Sequence, residues 1–238
     1  MHSAQGFMLP DAVAVVLFFI VWAGHYYMIN LSRYRVLTIS YAMGAQRERW
    51  MQNMVHRGES PVDAILQNAQ QQGVLFFAST TVLLIGGLAA ALGSADRGVN
   101  VLKELPLSTT DTSLQWELKV LLLMFIFVFA FFKFAWSYRL YNYVLIMMGA
   151  SPQHRPCLDH TVKPSTMANY ANKLAKLHSL AARHFSTGLN AYFFALAACT
   201  WFLNAWVFMA STIWVALVLF RRAFKSDFLK IIKSTNTC

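Results

Sequence analysis

The apolar stretch from Leu118 to Tyr141 constrains the fold of this chain more than any other segment. Its central run from Val120 to Phe134 is uncharged apart from Lys133. A helix through these residues is long enough to cross the hydrocarbon core of a bilayer, which needs about 20 predominantly apolar residues. Because an ammonium group inside lipid costs free energy, Lys133 has to find a partner or reach the head groups. The stretch therefore predicts a membrane-spanning helix that contains one polar position.

The remainder of the sequence also indicates a polytopic membrane protein. Hydrophobic residues make up 57% of the 238 residues, the mean hydropathy is +0.45, and the apolar residues cluster into long runs. We predict an all-α membrane protein that forms a single membrane domain over residues 1–238, a bundle of four to five transmembrane helices with amphipathic cytoplasmic helices. The predicted spans cover residues 7–29, 73–93, 118–141, 189–203 and 205–220.

The last apolar block, Ala191 to Phe220, is too long for one straight transmembrane helix. Its thirty residues would extend about 45 Å against about 30 Å of hydrocarbon. The tilt that this length requires, about 48°, exceeds the usual range for transmembrane helices. We expect a helical hairpin that turns near Asn204, and one strongly tilted helix is the alternative.

The distribution of basic residues orients the predicted spans. Ten basic residues follow the first and third spans, namely Arg33, Arg35, Arg47, Arg49, Arg57, Arg155, Lys163, Lys173, Lys176 and Arg183. Two others, Arg97 and Lys103, follow the second span. By the positive-inside rule the N-terminus is expected outside, in a multi-pass protein of a bacterial cytoplasmic (inner) membrane. The first apolar run has no Lys or Arg before it and no small-residue cleavage site after it, which predicts a retained helix.

Local patterns predict further helices and their first residues. Residues 43–55 and 166–185 repeat apolar positions at helical spacing beside charged faces, as interfacial helices do. Ser60 and Pro61 are placed as the N-cap and first residue of a helix that leads into the second span. Thr112 with Gln115 forms a capping box before the third span. Gly86 and Ala90 favour close helix packing in the second span.

Four polar residues are candidates for a role within the membrane. Lys133 either extends to the cytoplasmic head groups or binds an anionic head group or solute. His25 is expected to hydrogen-bond a head group or another helix, with binding of a haem or a quinone as the alternative. Asn142 belongs to a polar, aromatic end of the third span, where an interfacial belt is the expected arrangement. Asn204, together with Lys133, would line a midplane path if the protein were a transporter.

Few residues suggest metal or catalytic chemistry. The loop with His154, Cys157 and His160 offers possible metal ligands, but it is short, has a single cysteine and lies in a Pro-rich turn. We therefore predict no cofactor. Among the acids, Glu117 is expected to flank a span alone, which argues against a carboxylate relay for protons. The sequence contains no phosphate-binding glycine loop, zincin pair or nucleophile elbow.

Three stretches carry a resemblance to a known family. They are GVLFFASTTVLLIGGLAAALG from Gly73, QWELKVLLLMFIFVFAFFKFAWSYRLYNYVLIMMGASP from Gln115, and RHFSTGLNAYFFALAACTWF with the later RRAFKSDFL. The chain resembles an uncharacterised family of bacterial and plant integral membrane proteins, a domain of unknown function. The resemblance implies a helical membrane protein without an assigned activity. The family-like positions are Glu117, Lys119, Lys133, Trp136, Ser137, Asn142, Tyr143, His184, Phe185, Gly188, Leu189, Arg222, Phe224 and Ser226. Ala223 stands where similar proteins tend to have an acid.

Three functions are consistent with these observations. The first is a non-enzymatic scaffold or accessory subunit of a membrane complex, and the second is a small-solute or ion transporter or channel. The third is a haem- or metal-binding redox subunit. The expected partners are membrane lipids, anionic head groups, and a homo-oligomer or larger membrane protein complex, with no nucleic acid.

Overall fold

A computed structural model describes residues 3–31, 33–57, 61–103, 112–151 and 164–225. Every regular element in these ranges is helical, which confirms the predicted all-α class. The α-helices are α1 (Ser3–Asn30), α2 (Ile39–Arg57), α3 (Pro61–Leu92), α4 (Ala95–Lys103), α5 (Ser113–Gly149), α6 (Pro164–Cys199) and α7 (Ala205–Phe224). Short 3₁₀ helices occupy Arg33–Leu37 and Thr200–Phe202.

Four helices in the described ranges are long and apolar enough to cross a membrane. These stretches are Leu9–Asn30, Pro61–Leu92, Ser113–Gly149 and Ala205–Phe224. The protein is therefore a multi-pass membrane protein.

Helix α6 passes through the same depth as α5 although its sequence is less apolar. The two helices are antiparallel: the Tyr170 hydroxyl donates to the Met147 carbonyl at 2.7 Å near one end. Near the other end, the rings of Trp116 and Phe202 lie 5.2 Å apart. Much of α6 is covered by other helices, and Phe194 has no exposed surface. Because protein rather than lipid surrounds α6, its crossing segment does not need the hydropathy of a lipid-facing helix.

The helices alternate in direction and give the bundle two chemically different ends. Contacts from Gln67 to the Tyr141 carbonyl and from Trp116 to the Ala91 carbonyl set α3 antiparallel to α5. We call the end with α2 and the C-termini of α1, α5 and α7 the basic end, and the other the distal end. Described basic residues at the basic end are Arg33, Arg47, Arg49, Arg57, Arg139, Lys173, Lys176, Arg183, Arg221, Arg222 and Lys225. The clustering matches the one-sided charge pattern of the sequence.

The last apolar block contains a break at Asn204 and folds back on itself. Asn204 has an extended backbone, and its side chain caps α7 by accepting from the Trp206 amide at 3.0 Å. The Ser211 hydroxyl then lies 2.7 Å from the Thr200 hydroxyl. The chain therefore reverses at residues 200–204, and one helix does not run through the block.

A layer of aromatic side chains fills the middle of the bundle. Phe18, Phe134, Phe194 and Phe208 have no exposed surface, and they come from α1, α5, α6 and α7. The ring of Phe134 lies against Gly188, where an added Cβ would stand 2.5 Å from a ring carbon. Gly188 is therefore required for the close approach of α5 and α6, which the sequence pattern did not predict.

The amphipathic helix α2 packs on protein and not only on the membrane surface. Its apolar residues Met51, Met54 and Val55 are buried in a cluster that includes Val144 of α5 and Leu174 of α6. The sequence predicted that this face of α2 lies on the membrane surface. In the structure the ends of α5 and α6 extend far enough to cover it.

The predicted helix starts agree with the structure where it describes them. Pro61 is the first residue of α3, and Thr112 caps α5 by accepting from the Gln115 amide at 3.3 Å. The proposed cap Ser60 lies outside the described residues. Asp63, in the first turn of α3, accepts from Trp50 of α2 at 2.7 Å. This bond, together with the Arg57–Asp63 salt bridge of 2.6 Å, fixes α2 against α3.

The small residues of α3 do not pack within this chain. Gly86 and Gly87 are exposed, and a Cβ added at either position meets no atom within 4 Å. Gly86 and Ala90 were predicted to pack closely against another helix, and none of the described helices does so.

The contrast between the two kinds of glycine leads to a stability prediction. Gly188→Ala should lower the free energy of unfolding by about 1–3 kcal/mol, because the new methyl group overlaps the Phe134 ring. Gly86→Ala is the matched control and should change stability by less than about 0.5 kcal/mol. Thermal unfolding of both variants in detergent measures the difference. Equal stability of the two variants would contradict the packing described for α5 and α6.

Candidate functional site

A cavity lined by both polar and apolar residues opens at the basic end between α1, α2, α6 and α7. We call it the basal cavity; it has two adjoining lobes of about 520 Å³ and about 710 Å³. Thr38, Ser40, Ser186 and Asn190 line both lobes, so the two spaces share a polar wall. A volume of this order suits a small-molecule ligand.

Arg47 is the most unusual residue of the first lobe. It projects from α2 into the cavity, and its buried Nη1 has no hydrogen-bond partner among the described residues. Burial lowers the pKa of Arg47 from its ordinary value, although an arginine stays charged at neutral pH. A buried guanidinium with an unused donor costs free energy unless an acceptor reaches it. The position is therefore suited to an anion.

The surroundings of Arg47 contain cations and neutral polar groups. Arg222, near the end of α7, lines the same lobe and forms no ion pair with any described residue. Gln70, Ser186 and Asn190 contribute neutral hydrogen-bonding groups, and none of the described residues that line this lobe is acidic. The described residues around this lobe thus do not neutralise its charge.

The second lobe is more balanced in charge. Lys176 and Arg183 of α6 line it together with Glu48 of α2. Asn172 also lines it and accepts a hydrogen bond of 3.4 Å from Gln52. Because Glu48 offsets part of the positive charge here, the first lobe is the stronger candidate for anion binding.

His178 lies behind Arg47 and is enclosed by aromatic rings. It is 1% exposed, and its ring centroid lies 5.2 Å from Tyr141 and 5.5 Å from Trp50. Burial and the nearby Arg47 guanidinium lower the pKa of His178 to about 3. Both ring nitrogens lack a hydrogen-bond partner in the described part of the chain. His178 is consequently neutral at pH 7 and does not compete with Arg47 for an anion.

The basal cavity does not extend through the bundle. Its described lining reaches Phe193 and Leu219, and none of it comes from the distal end. Beyond these residues the aromatic layer fills the space without exposed surface. In this conformation the cavity is accessible from one end.

Lys133 lies outside the basal cavity, beside α1. Its ammonium is 5.1 Å from the ring centroid of Phe129 and 5.7 Å from that of Tyr26. Each ring contributes ~0.5–2 kcal/mol of cation–π attraction, against ~2.5–3.5 kcal/mol for placing a lysine in a membrane helix. Phe129 precedes Lys133 by one helical turn, so the side chain does not extend toward Arg139. Lys133 makes no ion pair with a described residue.

Asn204 and Lys133 do not share a path at the membrane midplane. Asn204 caps α7 beside the 3₁₀ helix that contacts Trp116 at the start of α5. Lys133 lies 17 residues beyond Trp116, about 25 Å along α5. In this conformation the two residues therefore lie at different depths of the bundle.

The other predicted residues are dispersed. His25 is buried against the Phe194 ring at 5.6 Å, and its Nε2 has no described hydrogen-bond partner. Asn142 accepts from Gln71 at 2.8 Å and joins α5 to α3. Glu117 is half-buried in the first turns of α5. The possible metal ligands His154, Cys157 and His160 lie outside the described residues.

A buried polar cluster at the distal end was missed in the sequence. Asp11 of α1 accepts a hydrogen bond of 2.6 Å from the Trp201 indole. Lys119 of α5 places its ammonium 5.6 Å from the centroid of the same ring. The expectation that Glu117 alone among the acids flanks a span overlooked Asp11, which lies within the first apolar run. The sequence did contain a signal for this cluster, because Asp11 and Lys119 lie near the starts of two predicted spans.

The burial of His178 predicts that stability depends on pH. The pKa of His178 is lowered to about 3 in the folded state, whereas it is 6.5 in the unfolded chain. Stability is therefore complete above pH 6.5 and is lost as the pH falls below that value, because only the unfolded chain then gains a proton. At pH 5 the loss should reach about 2 kcal/mol. Thermal unfolding in detergent between pH 7.5 and 5 measures it. In His178→Phe this part of the pH dependence should disappear, and an unchanged slope would contradict the assignment.

Comparisons with known proteins agree with the fold and the motifs. The family description "Protein of unknown function, DUF599" matches residues 13–228, a range that includes the basal cavity, Lys133 and most of the distal cluster. No curated protein matches the chain, and no solved structure matches it. Since the match extends over nearly the whole chain, the protein belongs to the DUF599 family of unknown function.

Proposed function

We propose that this protein is a non-enzymatic membrane protein that binds a small anionic solute in the basal cavity, as a carrier or a ligand-binding subunit. The observation that carries the proposal is Arg47, which lines the cavity with a buried donor that no described group satisfies. Arginine binds carboxylate and phosphate groups through paired hydrogen bonds. The ligand class is therefore a small carboxylate- or phosphate-bearing molecule.

The proposed orientation places the basal cavity on the cytoplasmic side. Support comes from the eleven Lys and Arg residues with described side chains at the basic end, compared with Arg97 and Lys119 toward the distal end. The membrane is proposed to be a bacterial cytoplasmic membrane, with the N-terminus outside. A cytoplasmic solute would then reach Arg47 without crossing the aromatic layer.

Transport through the bundle would need a second conformation. The aromatic layer lies between the basal cavity and the distal end, and the distal end itself contains the buried cluster of Asp11, Trp201 and Lys119. This arrangement favours a carrier or a binding subunit over an open channel, because a channel requires a continuous polar path.

A scaffold or accessory role is the second candidate. The exposed stripe of Gly86, Gly87 and Ala90 on α3 has no neighbour within the described part of this chain, and small residues let membrane helices approach closely. Such a surface is suited to a second copy or to a helix of a membrane complex. The two candidates are compatible, since the stripe and the basal cavity involve different surfaces of the bundle.

Anion binding can be tested by ligand-induced stabilisation of the detergent-purified protein. Citrate and inorganic phosphate, each compared with sodium chloride at equal ionic strength, should raise the melting temperature of the wild type. At a ligand concentration of about 100 Kd the stabilisation should be about 2.7 kcal/mol. Arg47→Gln should remove most of it, because the buried donor is lost.

Arg221→Gln is the matched control. Arg221 neighbours Arg222 on α7 and is exposed as Arg222 is, but it does not line either lobe. This variant should respond to the anions as the wild type does. Two results would reject the basal cavity as an anion site: the anions do not stabilise the wild type, or they stabilise Arg47→Gln as much as the wild type.

The proposed orientation makes a separate prediction for cysteine labelling. With Cys157 and Cys199 replaced by serine, Cys238 should react with a membrane-impermeant thiol reagent only after cells are opened, because α7 returns to the basic end. A cysteine introduced by Arg97→Cys, which is exposed toward the distal end, should react in intact cells when Cys238 is also replaced. The reverse pattern would overturn the orientation.

A further inference from the structure

We infer that the ligand of the basal cavity is an acidic amino acid, a molecule with a carboxylate at one end and an ammonium and a second carboxylate at the other. This ligand class depends on the anion binding proposed above and narrows it. The evidence is the distribution of charge between the two lobes. Among the described lining residues, the first lobe has cations only, whereas the second has charges of both signs.

Helix α2 presents opposite charges to the two lobes from consecutive positions. Arg47 lines the first lobe, and Glu48 lines the second. Consecutive residues of an α-helix project about 100° apart. The helix therefore places a cation in one lobe and an anion in the adjoining one. A ligand that meets both side chains needs an anionic group for Arg47 and a cationic group for Glu48.

The Glu48 carboxylate is available to a ligand. It forms no salt bridge or hydrogen bond with a described residue, although Lys176 and Arg183 line the same lobe. Glu48 and Lys176 are exposed, so the second lobe meets the water at the basic end, from which a charged solute enters. An ammonium group can donate to Glu48 there without displacing an existing ion pair.

The cations of the second lobe can bind a carboxylate beside that ammonium. Lys176 and Arg183 are seven residues apart on α6, about 10 Å along one face of the helix. Their side chains have no described salt-bridge partner. The second lobe thus offers an acceptor for an ammonium group and donors for a carboxylate. The α-amino and α-carboxylate groups of an amino acid carry this pair of charges.

The wall shared by the two lobes connects the ends of such a ligand. Ser186 and Asn190 line both lobes, and their side chains form no hydrogen bond with a described residue. The first lobe, with Arg47 and Arg222, then receives the side-chain carboxylate. A simple dicarboxylate would instead bring a second negative charge toward Glu48. Because like charges repel, the lining favours an amino dicarboxylate.

Three ligands of equal chain length provide the test: L-glutamate, glutarate, which lacks the ammonium, and L-glutamine, which lacks the side-chain carboxylate. Thermal unfolding of the full chain in detergent at pH 7.5, with increasing ligand at constant ionic strength, gives the dissociation constants. Glutamate should bind about tenfold more tightly than either analogue, the effect of one charge-assisted hydrogen bond. Unspecific attraction to a cationic cavity would instead favour glutarate, because its net charge is more negative than that of glutamate.

Four variants assign the two ends of the ligand. Glu48→Gln should make glutamate and glutarate bind equally, because the acceptor for the ammonium is lost, whereas Glu48→Asp keeps the charge and should keep a preference for glutamate. Arg47→Gln should remove the difference between glutamate and glutamine. Glu117→Gln is the matched control, since it makes the same change at an acid near the distal end, and it should retain both preferences.

Failure of this ligand class is distinguishable from failure of the anion site. If citrate and phosphate stabilise the wild type through Arg47 but glutarate binds at least as tightly as glutamate, the cavity binds anions and its ligand is not an amino acid. A glutamate preference that persists in Glu48→Gln would also overturn the assignment, because the ammonium is then bound elsewhere. If none of these ligands stabilises the protein, both the anion site and the ligand class are wrong.

Discussion

The antiparallel packing of α5 and α6 is the contact on which the rest of the structure depends. It extends from the Trp116–Phe202 ring pair at the distal end to the Tyr170–Met147 hydrogen bond at the basic end. Gly188 brings the backbones close together, and Ser137 donates to the Ala181 carbonyl at 2.8 Å within the buried contact. Helices α2, α3, α4 and α7 pack directly against this pair, whereas α1 packs mainly on α7. The pair therefore holds the helices that line the basal cavity.

Charge and burial divide the bundle into regions with different chemistry. At the basic end, α2 brings Arg47 against the cavity while its own apolar face is held by α5 and α6. The middle is filled by aromatic rings, and the distal end is tied by the bond between Asp11 and Trp201. Buried polar groups in a low dielectric are costly unless they are paired. The paired groups therefore stabilise the fold, whereas the buried Nη1 of Arg47 has no partner among the described residues.

Local signals in the sequence predicted much of the helical framework. The caps at Thr112 and Asn204 depend on side chains within a few residues of the helix start, and a pattern of that length can be read directly. Long apolar runs predicted α1, α3, α5 and α7, because a run of this kind is also visible within one segment of the sequence. Helix α6 was harder to delimit, because its crossing part mixes polar residues with small apolar ones that other helices cover. The predicted arm 189–203 thus captured only the C-terminal part of a helix that begins at Pro164.

The sequence by itself determined the helical class, the multi-pass membrane environment, the one-sided charge and the break at Asn204. All of these follow from residue type and local spacing, because lipid and water act on each segment independently of its neighbours. The tertiary structure alone decided that Arg47 lines a cavity with Arg222, from which it is separated by most of the chain. It likewise brought Trp136 of α5 beside His184 of α6, and Asp11 beside Trp201. Contacts between distant residues depend on how the helices pack, and a pattern along one helix does not contain that information.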